Sequence, residues 1–266
     1  DYAPFYTSRA YLLNTTKTTD QLADLEKAMT LDNEDWRNWD NVIDYHLKKR
    51  DDQIALKLAL QAVKKFKGNY ELGLKLSTAY LNTGQYKKCI DYLKTLDVLP
   101  FEGAGVGRKI YEQAHLLYAI EKVNSSQYSS ALKLVDQARL WPENLGVGEP
   151  YDPDLRIEDF LAALCLKKLN KDNFKDYEQK VVDYTIAKLA PNSLQTILGL
   201  KLLKSSNPVK SNEIIQDMAK SRPSKNDKLN WLLAVYEDNN QDMRKYADLL
   251  KDDHDFEIIS ALLQLK

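Results

Sequence analysis

The chain has few of the residues that would interrupt or cross-link it. Nine glycines and eight prolines in 266 residues leave long stretches free to be helical, because these two types are the strongest helix breakers. Cysteine is nearly absent. Cys89 and Cys165 fall in separate helical apolar patterns, which excludes a disulfide-stapled scaffold and gives no reason to expect a bond between them. The longest apolar run, Phe160 to Leu166, has seven residues, far short of the ~18 that a membrane-spanning helix requires. An excess of either charge is also missing: 38 basic and 39 acidic residues leave a net charge of −1. No overall field therefore draws the chain to nucleic acid or to an acidic membrane.

The usual chemistry is equally sparse. The histidines His46, His115 and His254 stand alone, without the paired spacing of a metal site. No glycine-rich phosphate loop and no nucleophile elbow occurs. The expectation is a chain without catalytic residues of its own, without a metal and without a cofactor.

What is present is a repeat. Gln21/Leu25/Ala28/Asp32 recurs in register as Ala55/Ala59/Ala62/Phe66, as Cys89/Leu93/Leu96/Pro100 and as Ala131/Val135/Ala138/Pro142, at steps of 34, 34 and 42 residues. A weaker echo follows at Lys180/Tyr184/Ala187/Pro191 and Asn212/Gln216/Ala219/Pro223. Small residues at helical spacing, repeated every 34 positions, are the signature of a tetratricopeptide-type solenoid. The expected fold is all-α, a right-handed α-α superhelix of about seven helix hairpins plus a C-terminal capping helix, forming a single repeat domain over residues 1–266. The small columns, Ala28, Ala59, Ala62, Ala138 and Ala187, are expected where helices approach closely. Asp1 is not methionine and no leader follows it, so the expectation is a piece of a longer protein.

The period stretches at two places. Residues 100–108 and 142–156 are surplus to it, and they hold five of the nine glycines and four of the eight prolines. Both join the second helix of one unit to the first of the next, so in a solenoid they emerge on one edge. Each also ends on an arginine at a helix start, Arg108 and Arg156, where a cation opposes the helix dipole and needs a partner. Two accounts are open. Either an external anion is held by the arginines and loop amides, or a loop carboxylate from Glu102, Glu143, Glu149, Asp152 or Asp154 pairs with them and makes the loops rigid. Trp141, Tyr151 and Phe101 beside the loops either stack on a sugar or seal the loops onto the helices. The candidate binding residues are accordingly Glu102, Gly105, Arg108, Trp141, Asn144, Gly146, Tyr151 and Arg156.

The same stretches carry a resemblance. Ala3-Pro-Phe-Tyr6 with Arg9, Trp36-Arg37, Pro100 to Arg108 with Tyr111, and Pro142 to Gly148 with Pro150, Tyr151, Arg156 and Asp159 resemble the tetratricopeptide region of large bacterial proteins. In those proteins a β-rich, aldose-mutarotase-like domain of unknown function is joined to helical repeats. The resemblance covers the first two thirds of the chain and implies a setting among carbohydrate-related modules; it supplies no catalytic residues. The functional expectation is a non-catalytic interaction or scaffold module for a protein or peptide, including the β-rich domain of a longer parent, with carbohydrate as a further ligand class. The alternative is an accessory part of a carbohydrate-processing protein whose loops complete an active site located elsewhere.

Overall fold

A computed structural model describes residues 2–13, 18–100, 104–189, 193–220, 226–251, 253 and 255–265. Among them the chain is all helix, with no strand. The helices fall in sequential pairs: α1 (Ala3–Leu13) with α2 (Thr18–Leu31), α3 (Trp36–Lys49) with α4 (Asp52–Lys65), α5 (Tyr70–Asn82) with α6 (Tyr86–Leu93), and α7 (Val106–Asn124) with α8 (Tyr128–Ala138). They continue with α9 (Arg156–Lys168) and α10 (Phe174–Ala187), α11 (Thr196–Ser206) and α12 (Pro208–Lys220), α13 (Asp227–Tyr236) and α14 (Asn240–Leu250), and end in α15 (Phe256–Gln264).

Local chemistry sets many of the helix ends. Asp35, Asn69, Asn226 and Asn239 each accept a bond from a backbone N–H of the turn they open, which satisfies donors the helix cannot pair internally. Asn207 does the same for Lys210 N ahead of Pro208. Because Asp35 takes the cap, α3 starts at Trp36. Gly84 closes α5 in the left-handed region at φ 70°, a conformation glycine adopts without steric cost.

Contacts divide the chain into two compact units, residues 1–114 with 141–149, and residues 115–140 with 150–266. In the first, α1 to α6 pack each on the next, and α3 also meets α5. In the second, α8 to α12 pack consecutively, α13 pairs with α14, and α11 touches both α9 and α13. The helices so packed bury apolar stripes against sequence neighbours, and first helices of successive pairs meet at α3–α5, α9–α11 and α11–α13, as in helical-repeat folds.

The small columns are tight in the first four sets. Ala55, Ala59 and Ala62 of α4, Cys89 and Leu93 of α6, and Ala131 and Ala138 of α8 are wholly buried, and Ala28 nearly so. Ala187 is not: it is exposed, as is Ala219. The echo columns are out of phase by one residue, in opposite directions. In α10 the buried positions are Val181, Val182 and Thr185, so that Val181 and Thr185 stand one beyond Lys180 and Tyr184; in α12 they are Ser211, Ile214, Ile215 and Met218, of which Ser211, Ile215 and Met218 stand one before Asn212, Gln216 and Ala219. Packing explains the shift. Thr185 lies under Gly199 of α11, where a Cβ would stand 2.2 Å from its Oγ1, and Ser211 donates to Leu200 O at 3.1 Å. These contacts fix the helix rotation, and small size alone does not.

Candidate functional site

The long loops are built from inside the fold. α6 ends at Leu93, short of Leu96, and one side chain takes its last carbonyl and one beyond it: Asn144 Nδ2 donates to Leu93 O (3.0 Å) and Leu96 O (2.8 Å). Val98 N in turn donates to Asn144 O at 2.8 Å. The start of the second loop is therefore clamped onto the segment leading into the first. A 3-10 turn, Glu143–Leu145, ends at Gly146 with φ 74°, where a Cβ would stand 2.8 Å from Val98 O. Glycine is required there for both reasons. Leu145 is buried against Gly107.

Arg108 is buried as the third residue of α7, which begins at Val106. Its guanidinium lies 4.4 Å from the centre of the Trp141 ring and 3.1 Å from Glu112, one turn along the same helix. Glu112 is thus a carboxylate partner from the same helix at i+4; the loop acid Glu102 lies outside the described residues. Trp141 covers this arginine. The Gly105 carbonyl accepts from Lys109 N at 3.1 Å at the opening of α7, and the residue has open space where a Cβ would be.

In the second unit, Arg156 is also buried. Asp154 accepts from its backbone N (3.2 Å), from Nε (2.9 Å) and from Nη2 (2.6 Å). Nη1 donates to Thr185 and Thr196, Nη2 also to Ser193, and the Tyr184 ring lies 5.2 Å away. The cation at this helix start is thus offset by a carboxylate at the same end, which also favours the dipole. Tyr151 is fully exposed and seals nothing. Glu102 and Phe101 lie outside the described residues. Glu143 and Glu149, the other loop acids of interest, are exposed. His46 is buried and meets Asp51 at 3.2 Å; His254 lies outside the described residues. Among those described, no group of acids, histidines and cysteines is placed to hold a metal ion, and no helix is long and apolar enough to cross a membrane.

Open space lies elsewhere in the first unit, along the first helices of three successive pairs. One cavity of about 610 Å³ is walled by α1 (Thr7, Tyr11), the turn at Asp32 and Asp35, α3 (Trp36, Asp40) and Glu71 of α5. A second, of about 530 Å³, adjoins it and shares Asp40 and Glu71; its apolar walls are Leu47, Tyr70 and Leu74, with Val98 from the segment before the first long loop, Ala104 within that loop and Val106 at the start of α7. Tyr11 donates to Asn41 Oδ1 at 2.6 Å and so ties α1 to α3 along this groove.

The groove's charges are unevenly matched. Lys75 and Lys48 both bond Asp44. Burial pushes the Asp44 carboxyl up, but these two bonds outweigh it and hold the group below its ordinary value. Asp40 has no such help: burial raises its carboxyl above the ordinary range, Lys75 opposes this, and the negative Asp44 and Glu71 add to it. Lys75 Nζ is 3.8 Å from Asp40 Oδ1, beyond hydrogen-bond reach, and that buried oxygen has no donor among the described residues.

Of the groove residues only the Trp36-Arg37 pair, the start of α1 and the loop residues Ala104 and Val106 belong to the stretches singled out from the sequence. Arg37, Asp40, Asp44 and Lys48 stand 34 residues before Glu71, Leu74, Thr78 and Asn82, so the same helix positions face the groove in successive pairs although their side chains differ. No protein-family model and no curated protein matches the chain.

Proposed function

We propose that this chain is a tetratricopeptide-like interaction module that receives an extended peptide segment in the groove across α1, α3 and α5. The observation that carries the reading is the pair of adjoining cavities, about 610 and 530 Å³, lined by positions that repeat every 34 residues. A repeat array presents the same helix face at each step, and a peptide with a regular backbone matches such a surface. The first long loop and the segment before it have a part in it, since Val98, Ala104 and Val106 close one end. The clamp made by Asn144 and Gly146 holds that wall, so on this reading the second loop serves the site by fixing the first. The resemblance to bacterial repeat regions joined to a β-rich domain makes an exposed segment of such a domain a natural partner. A carbohydrate-processing role gains no support from Arg108 and Arg156, whose guanidinium groups are committed inside the fold.

The test is panning of a displayed random-peptide library on the folded chain, followed by affinity measurement on Leu74→Gln and Tyr11→Ala variants. Selected peptides are expected to lose at least tenfold in affinity on both, and to be indifferent to Tyr151→Ala. Peptides whose binding ignores the two groove variants, or an absence of any selected binder, would overturn the assignment.

A further inference from the structure

Resting on that reading, we infer that the groove recognises a basic side chain, lysine or arginine, set beside an apolar one, the cation entering at Asp40 and Glu71 and the apolar group seating against Leu74 and Val98. Three observations converge on it. The larger cavity has four carboxylates in its walls, Asp32, Asp35, Asp40 and Glu71, against one cation, Arg37. That arginine is already engaged, pairing with Asp35 at 3.3 Å and lying over the Trp36 ring at 4.9 Å. A surplus of negative charge in a recess with low-dielectric walls favours an incoming cation.

The second observation is at atomic scale. Asp40 Oδ1 is buried without a donor, and the nearest ammonium, Lys75 Nζ, is 3.8 Å away and bonded to Asp44. The Asp40 side chain as a whole is still 23% exposed and lines both cavities, so its carboxylate, short of a bonded partner inside the fold, can take a charge-assisted bond from a ligand cation on its open side. The third is the aromatic wall. Trp36 already carries one guanidinium on its face, and such faces favour cations. Next to this end the second cavity is apolar on one side, with Leu47, Leu74, Val98 and Val106, and its own charges are largely paired around Asp44. A cationic and an apolar pocket sharing Asp40 and Glu71 read two neighbouring side chains of one extended segment.

The experiment uses the whole chain and a positional-scanning library of fluorescein-labelled octapeptides, read by anisotropy at about 50 and 300 mM salt, where screening separates charge from packing. The expected result is enrichment of Lys or Arg at one position with Leu, Ile or Val near it, and a loss of tenfold or more when norleucine or Glu replaces the base at low salt. In the Asp40→Asn/Glu71→Gln variant the preference for the base should fall at least tenfold while the apolar preference stays. Both replacements keep side-chain shape, and a circular-dichroism melt equal to the parent's confirms the fold. Binding lost on Leu74→Gln but blind to the base, a preference for acidic peptides, or a basic preference unchanged in the double variant would each overturn this inference and leave the groove assignment standing. No octapeptide binding would remove both.

Discussion

Gly199 in the middle of α11 provides a test in which local and tertiary physics predict opposite signs. An exposed helical Gly→Ala change stabilises by about 1 kcal/mol, because alanine is the better helix former. Here the new Cβ would stand 2.2 Å from Thr185 Oγ1, 2.6 Å from its Cβ and 3.0 Å from its Cγ2. Rotating χ1 cannot relieve this, since the Thr185 Cβ itself is in the way and β-branched side chains are stiff. Backbone of α10 or α11 must move. Overpacking of this kind costs about 1–3 kcal/mol, and displacing Thr185 weakens the bond it accepts from buried Arg156 at 3.2 Å, a charged-group bond worth about 1.5–3 kcal/mol. Against the propensity gain the net expectation is a loss of about 2 kcal/mol, or roughly 4–8 °C in melting temperature at 2–4 °C per kcal/mol. The assay is a thermal melt of Gly199→Ala beside Gly73→Ala. At Gly73 the obstructing atom is the end of the flexible Leu96 side chain, 2.4 Å away, so that variant should stay within a degree or two of the parent. Thr185→Ala should recover most of the loss in the double variant. A Gly199→Ala protein that melts at or above the parent temperature would refute the close approach of α10 and α11.

Four further outcomes are expected. Arg156→Met should cost about 3 kcal/mol in a urea titration, since it strands the hydroxyls and carboxylate gathered around a buried cation; Tyr151→Ala, at a fully exposed position, should cost nothing measurable. Ala62→Leu should destabilise by about 1–3 kcal/mol where no space exists, while Ala187→Leu on an exposed face should leave the melt unchanged. Cys89 and Cys165 are buried free thiols pushed up to about 12, so Ellman's reagent at pH 8 should find neither in the native protein and both after denaturation. Asp24 is held below its ordinary value by the hydrogen bonds from Arg9. A depressed native pKa gives stability that is present above about pH 3.9, the unfolded value, and is lost as pH falls through the native one. Urea midpoints between pH 6 and pH 2 should therefore fall less steeply in Asp24→Asn than in the parent.

Features that depend on residues a few positions apart were legible in the chain alone. The 34-residue column of small side chains, the left-handed stop at Gly84 and the sequential helix pairs all follow from local backbone chemistry and helical spacing. So did the need for partners at Arg108 and Arg156, because a cation at a helix start is a local conflict. Even Asp154, two residues before Arg156, was within the nominated carboxylates. Which other atoms meet that need is not local. Trp141 lies 33 residues from Arg108, and Ser193 and Thr196 lie about 40 from Arg156; such pairs exist only once the helices have docked. Helix phase is likewise a tertiary quantity. In α10 and α12 the small residues Ala187 and Ala219 matched the column, but the buried face is chosen by what the neighbouring helix can accept, and Gly199 accepts Thr185. The groove is the clearest case. Its helix positions follow the same period as the core, but with unlike side chains, and only the packing of α1, α3 and α5 leaves a space between them and sets the Asp40 carboxylate beside a lysine already bound to Asp44, because cavities and charge surroundings are properties of surfaces brought together in three dimensions.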